Sequence, residues 1–321
     1  MLSELSNRRV LILIGKGGAG RTTIAAALGM LAARRHARAL LVEIDTRGAM
    51  AKLFGRAPSY APIEVEPGLF LTSLDGPQAM EQYLSITVPS PRLLRSVFSS
   101  RLYKYFVQAA PGLRELIMIG KLYHEVERRP ANLPAWDQIV FDAPASGQAL
   151  SLLRMPLAAD ETFENSVVGR EARRVAAFLR DPNRCAVVQV ATAEPLVVAE
   201  TIETSAALKK MGFRPAAIVF NRKLTVPFGA RDIARFIRHG AGRKSAGLIE
   251  AYGRIARNHL EIAQRTAEAR AFLRLKTHTP IIDFPEFPRS YGLDLVRRLV
   301  DWAERQGKDA EQSPPAISES L

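Results

Sequence analysis

Seven short apolar runs decide what this chain can fold into. They are VLILI (Val10–Ile14), ALLVEI (Ala39–Ile44), LFLTSL (Leu69–Leu74), QIVFDA (Gln138–Ala143), CAVVQVAT (Cys185–Thr192), AAIVFN (Ala216–Asn221) and PIID (Pro280–Asp283). Most are continuously apolar rather than alternating, which is the pattern of strands buried on both faces. Helical patterns such as TTIAAALGMLAARRH and VVAETIETSAALKKMGF lie between most of them. Buried strands alternating with helices predict an α/β fold: a doubly wound, mostly parallel sheet with right-handed crossovers and helices on both faces. At 321 residues and 47% hydrophobic, the chain has material for a large core. The pattern reads as a single domain over 8–304, with helical insertions at about 78–130 and 225–276 and no internal repeat. The end, GKDAEQSPPAISESL, is polar and aperiodic, so residues 305–321 are expected to be a disordered tail.

The stretch GKGGAGRTT, Gly15–Thr23, falls between the first apolar run and the alanine-rich helical pattern. A glycine-rich loop that follows a strand and opens a helix is a phosphate site in the right context. Gly15, Gly17, Gly18 and Gly20 carry no side chains that would keep backbone N–H groups from phosphate oxygens, and the helix adds its positive end. Lys16, Ala19 and Thr23 complete the loop, and the Thr22 hydroxyl is placed to ligate Mg²⁺. The predicted ligand is ATP or ADP with Mg²⁺. Against the pattern G-x-x-x-x-G-K-S/T, the lysine is replaced by Arg21. A plain strand-to-helix turn explains the glycines, but not two cations and two threonines with them.

Two carboxylates at strand ends suit the same chemistry. Asp45 can orient a water molecule against a terminal phosphate, and Asp142 can hold the water shell of a metal. Taken alone, Asp45 reads better as a helix N-cap and Asp142 as a strand-end turn, but both together in a chain with this loop point to function.

With these residues in view, the chain resembles the deviant phosphate-loop class of MinD and ParA ATPases. The likeness is strongest to the arsenical-pump (ArsA) and guided-entry tail-anchored-protein (Get) ATPases. GKGGAGRTT resembles their loop, with its lysine directly after the first glycine; LLVEIDTRGAMAKLFG resembles switch I, matching Asp45. WDQIVFDAPASGQALSLLRMP resembles switch II, matching Asp142, Pro144 and Gly147. VATAEPLVVAETIETSAALKKMGF and AIVFNRK resemble later segments, the second placing Asn221 where the family recognises adenine. The resemblance spans about 8–298. It implies that Lys16 crosses a dimer interface to the partner's nucleotide, so the expected unit is a homodimer, or a heterodimer with a related ATPase chain. Lys16, Asp45 and Arg21 are then the expected catalytic groups, with Thr22 and Asp142 at the metal.

The departures are as informative. Arg21 is a flat fork where the family has a compact ammonium, so charge is kept and geometry is not. Weak or partner-dependent hydrolysis is the expectation. Gln148 replaces the metalloid-binding histidine of the arsenical pumps, and Cys185 is the one thiol, so a metalloid site and an interfacial zinc bridge are not carried over. The resemblance also places a hydrophobic protein-client groove in the first insertion, where Leu94, Val97, Phe98, Leu102, Tyr105 and Phe106 recur at helical spacing, followed by Leu113, Leu116, Ile117 and Ile119. Packing on the domain's own sheet is the competing reading and the favoured one.

Net charge is +13, and Arg222 to Lys276 holds thirteen basic residues against four acidic, a balance of +9. Such a segment is either a solvated basic face or a surface for acidic partners. Within it Leu248, Tyr252, Ile255, His259, Ile262, Thr266, Ala269 and Leu273 recur at three-and-four spacing, an amphipathic helix. The alternatives to a client-targeting switch are a ParA-like positioning ATPase on DNA, and a non-hydrolysing subunit paired with a paralogue. Nucleic acid stays second, because nothing beyond charge calls for it. No apolar run approaches the roughly 18 residues of a membrane span. A single cysteine and no signal-like start give a cytoplasmic reading.

Overall fold

The computed structural model describes residues 2–35, 38–44, 48–87, 112–164, 166–240 and 246–312. Its centre is an eight-stranded sheet in the order β3-β4-β2-β5-β1-β6-β7-β8. The strands are β1 (Val10–Gly15), β2 (Ala39–Glu43), β3 (Ile63–Glu66), β4 (Leu69–Ser73), β5 (Gln138–Asp142), β6 (Cys185–Ala191), β7 (Pro215–Lys223) and β8 (Ile281–Pro285). All neighbours pair in parallel except β3 with β4. The seven apolar runs are the seven parallel strands. The eighth strand, β3, was not among them, because IEVE alternates apolar with acidic residues on a half-exposed edge. It turns back through Pro67 and Gly68 to pair antiparallel with β4. This is the doubly wound, mostly parallel α/β sheet of the phosphate-loop NTPases.

The helices are α1 (Leu2–Ser6), α2 (Arg21–Arg34), α3 (Ala49–Leu53), α4 (Gly76–Thr87), α5 (Leu113–Glu127), α6 (Ser146–Thr162), α7 (Val167–Arg180), α8 (Pro195–Lys210), α9 (Ala230–Gly240), α10 (Ala246–Thr277) and α11 (Gly292–Gln312). Strand pleating sends alternate residues to opposite faces. Leu11 and Leu13 join the core that α2 and α11 cover, whereas Val10, Ile12 and Ile14 join the core under α5, α6 and α7. The alanines of α2 let it lie close on the sheet: a Cβ on Gly29 would fall 2.5 Å from Leu41 Cδ2.

Among the described residues, the stretch 78–130 holds most of α4 and all of α5, and the stretch 225–276 holds α9 and nearly all of α10. In the first, Ile119 of α5 is buried in the domain's own core with Met118 and Leu122, whereas Ile117 is buried in a smaller cluster with Ala79 and Met80 of α4. The candidate client residues Leu94, Val97, Phe98, Leu102, Tyr105 and Phe106 lie outside the described residues. The second insertion is the pair α9 and α10. Helix α11 runs to Gln312, past residue 305 where the tail was expected to begin, and residues 313–321 lie outside the described residues.

Candidate functional site

In an open parallel sheet, ligands sit beyond the carboxyl ends of strands where the winding direction reverses. Here β1 is that strand, flanked by β5 on one side and β6 on the other. Register puts Leu13 beside Asp142 and Gly15 beside Val190. Gly15 is required by that closeness, since a Cβ would lie 2.6 Å from the Val190 carbonyl oxygen.

From Gly15 the chain crosses Lys16, Gly17, Gly18 and Ala19 and enters α2. Gly17 and Gly18 form the exposed crest, while Ala19 is buried beneath it. Gly20 sits at φ 87°, the left-handed region that glycine tolerates. Its missing side chain also leaves space for Asn221, whose amide nitrogen would be 2.3 Å from a Cβ at position 20. Asn221 donates to the Ala19 carbonyl at 2.9 Å and is itself buried, so the end of β7 clamps the loop from beneath. Thr22 and Thr23 occupy the first turn of α2, both half-buried.

Arg21 occupies the first helical position and folds back across the site. Its Nη1 donates to the Gly15 carbonyl at 2.8 Å and to the Pro144 carbonyl at 3.2 Å, and its Nε donates to Asp142 Oδ1 at 2.6 Å. One planar guanidinium thus joins the loop, the end of β5 and the turn into α6. Asp142 is nearly buried, 7% exposed, and its second oxygen accepts from the Thr22 hydroxyl at 2.6 Å. Asp142 meets Arg21 and Thr22, 121 and 120 residues earlier in the chain, in one polar cluster at the helix N-terminus.

Lys16 reaches the opposite way. Its Nζ pairs with Glu200 Oε2 on α8 at 2.9 Å, and the Ser146 hydroxyl donates to the other oxygen of Glu200. The bonds from Ser146 and Lys16 hold the Glu200 carboxyl below the usual carboxylate range. Sequence reasoning missed Glu200 and Ser146. Glu200 lies 184 residues from Lys16 in the chain, within a helix that reads as an ordinary amphipathic crossover. A third missed residue is Glu43, buried at the end of β2. It accepts from the Met50 backbone N–H at 2.8 Å and from the Ser73 hydroxyl at 2.7 Å, tying the end of β2 to α3 and β4. Burial raises its carboxyl above the usual range, partly offset by those bonds, and the charge of Asp142 adds to the rise. Asp45 itself lies outside the described residues. Pro144 and Gly147 flank the start of α6, and Gln148 is exposed on its first turn.

The residues suit a nucleotide phosphate and a hard divalent cation. A strand-to-helix turn with glycine at its crest exposes backbone donors at a helix end. Thr22 and Asp142 set a hydroxyl beside a carboxylate, oxygen donors of the type Mg²⁺ takes. Among the described residues no three His, Cys, Asp or Glu side chains converge as a metal cage.

Comparison with known proteins agrees with the geometry. The family described as anion-transporting ATPase matches residues 8–172, which contain the loop, Asp142 and the start of α6. ATPase BagA of Mycobacterium tuberculosis is 30% identical over 240 residues, covering 73% of this chain and 70% of that protein. The arsenical pump-driving ATPases of Escherichia coli and Acidiphilium multivorum are each 25% identical. Their matches cover 69% and 66% of this chain, but only 40% and 39% of those longer proteins.

Proposed function

This chain belongs to the ArsA-type ATPase family of nucleotide-binding ATPases, and on that footing we propose that it is a Mg²⁺-ATP-dependent dimeric switch with slow turnover. The observation that carries the reading is the placement of Arg21. A cation at this helix position, bonded at once to the loop and to the carboxylate at the end of β5, suits the neutralisation of charge between the β- and γ-phosphates.

In this reading the backbone N–H groups of Gly15–Thr23 hold the phosphates, and Thr22 with Asp142 holds the metal and its water shell. When bound, the metal would neutralise phosphate charge. Asn221, at the end of β7 beneath the loop, recognises the adenine, and Asp45 orients the attacking water. Arg21 is already committed to three acceptors, two of them backbone carbonyls. A bound phosphate must compete with Gly15 and Asp142 for the guanidinium, and the flat fork cannot pivot about a single nitrogen as an ammonium does. Binding therefore rests mainly on the loop backbone, and the chemical step is slow or needs a partner chain.

Lys16 supplies the second half of the switch. Its pairing with Glu200 keeps it within its own chain; release from Glu200 frees it to reach a nucleotide on the facing protomer. The partner is a second copy or a related ATPase chain, and the output of the cycle is the holding or release of a protein client. Light scattering with Mg²⁺ and a non-hydrolysable ATP analogue tests this. The expected result is a shift from one chain to two, and a loss of turnover in Lys16→Ala. The partly exposed Lys16–Glu200 pair contributes about 1 kcal/mol at most to stability, so Lys16→Ala should stay folded and its lost turnover should report on the site. Unchanged mass together with full turnover in Lys16→Ala contradicts the proposal.

A further inference from the structure

The second insertion carries a surface that nucleotide chemistry does not use. Helix α10 is 32 residues long, and the eight positions Leu248, Tyr252, Ile255, His259, Ile262, Thr266, Ala269 and Leu273 recur along it at alternating steps of four and three. That is the 3.5-residue period of a coiled-coil seam. The two halves of the seam have different fates. Toward the C-terminus, Thr266 and Leu273 are buried and Ala269 is packed against the main core. Toward the N-terminus, Leu248 is 59% exposed, Tyr252 55%, Ile255 53% and Ile262 41%.

This open half is not simply a helix lacking tertiary contacts. Helix α9 already packs on another side of the same segment: Ile233 is buried, and a Cβ on Gly253 would meet Ile237 Cδ1 at 2.6 Å. The hairpin is closed on one side and presents an apolar seam on another. From Leu248 to Ile262 the seam is about 21 Å long at 1.5 Å per residue. Ala251, Ala256 and Ala263 flank it, small enough for a second backbone to approach closely. Arg265 flanks it directly, while exposed Arg254 and Arg257 on other faces of α10, with Arg231, Arg235 and Arg238 on α9, give the hairpin as a whole a positive field. The described acids of the hairpin, Asp232, Glu250, Glu261 and Glu268, are fewer, and Asp232 is bonded to the Gly229 backbone N–H.

We infer that the Leu248–Ile262 seam docks an acidic amphipathic helix of a partner protein, extending the packing that the same seam makes internally from Thr266 to Leu273. The 3.5 period selects a helix, because a narrow one-residue stripe fits knobs into holes. A membrane-surface helix instead offers a broad apolar face. Like charge opposes a second copy of this hairpin, and a phosphate backbone gains nothing from Leu, Tyr and Ile at the centre of the patch. The hairpin's excess of exposed arginines over acids favours an acidic partner and speeds its encounter.

The test uses the full chain and a fluorescein-labelled peptide of about three heptads, with leucine or isoleucine at the seam positions and glutamate beside them. Fluorescence anisotropy is read for this peptide and for a scrambled peptide of equal composition. Tyr252→Ser and Ile255→Ser alter exposed side chains, so their unfolding midpoints should match the natural chain. The expected result is saturable binding of the heptad peptide, weakened about tenfold or more by the paired substitution, and weaker in every case for the scrambled peptide. Equal affinity for both peptides, or indifference to the substitutions, overturns the proposal. So does any of three alternative results in which the substitutions leave the peptide unaffected: loss of binding to phosphatidylserine vesicles, loss of binding to duplex DNA, or loss of a self-associated species in light scattering.

Discussion

Replacing Arg21 separates what the guanidinium does for the fold from what it does for the reaction. Its side chain is 17% exposed and faces Asp142 at 7%, so their charges meet in a largely dry setting. Arg21→Ala leaves the Asp142 carboxylate with the Thr22 hydroxyl as its one remaining bond in the cluster. Removing one partner of a buried pair costs about 3–5 kcal/mol, and the retained Thr22 bond places the loss near the lower end, about 3 kcal/mol. Arg21→Lys keeps the charge but provides a point donor in place of a fork. It cannot serve Gly15 and Asp142 with the same geometry, so at least one charge-assisted bond is lost, about 1.5–3 kcal/mol. Without nucleotide, urea unfolding followed by the fluorescence of Trp136 and Trp302 should rank natural chain, Lys variant and Ala variant in falling stability. Turnover should rank differently. An ammonium can swing from Gly15 to a phosphate oxygen, and a displacement of about 1 Å at such a position is worth roughly a hundredfold in rate. Phosphate release by Arg21→Lys should therefore exceed that of the natural chain at similar ATP affinity. Equal stability of the natural and Lys chains would show that the three bonds carry no weight. Brisk turnover by the natural chain, with no gain in Arg21→Lys, would show that arginine is a tolerated substitute and refute the argument for slow hydrolysis.

Three further outcomes follow from the geometry. Gly20→Ala forces a left-handed alanine at about 1–2 kcal/mol and drives its Cβ into the Asn221 amide; differential scanning fluorimetry should show a lower midpoint and no shift with Mg²⁺-ATP, whereas a normal shift would contradict the role of the Asn221 clamp. Burial pushes the Glu125 carboxyl up, but bonds from Lys121 and Trp136 and the charges of Lys121 and Arg128 outweigh that and hold it below the usual range. Its contribution is thus present above the unfolded carboxylate value of about 4.3 and fades as pH falls through the lower folded value, so Glu125→Gln should be less stable than the natural chain at pH 7 and converge with it near pH 3; a gap independent of pH would rule this out. Burial pushes the Cys185 thiol up to about 12, so maleimide at pH 8 should label the single cysteine only in denaturant, and rapid labelling of the native chain would show that β6 is not packed as described.

The fold was largely legible because buried parallel strands announce themselves as short, mostly apolar runs, and this chain has seven. Strand β3 escaped, since an edge strand stabilised by one neighbour needs no such run. At the site, the glycines and threonines are contiguous and could be read as a loop, and Asp142 was found because it ends a strand. What Arg21 and Lys16 bind could not be read. Arg21 meets Asp142 121 residues away and Lys16 meets Glu200 184 residues away, and such pairings are set by strand order, which leaves no local pattern. The seam of α10 shows the same division: its period is in the sequence, but which half is covered depends on where the sheet ends.

Isothermal titration of the purified full chain with Mg²⁺-ATP and Mg²⁺-ADP most directly tests the central claim, that Gly15–Thr23 is a working phosphate cradle closed by Arg21. The account predicts saturable binding of one nucleotide per chain, retained in Arg21→Lys and abolished in Gly20→Ala. Absence of heat and of competition up to millimolar nucleotide, with the protein folded, would contradict it.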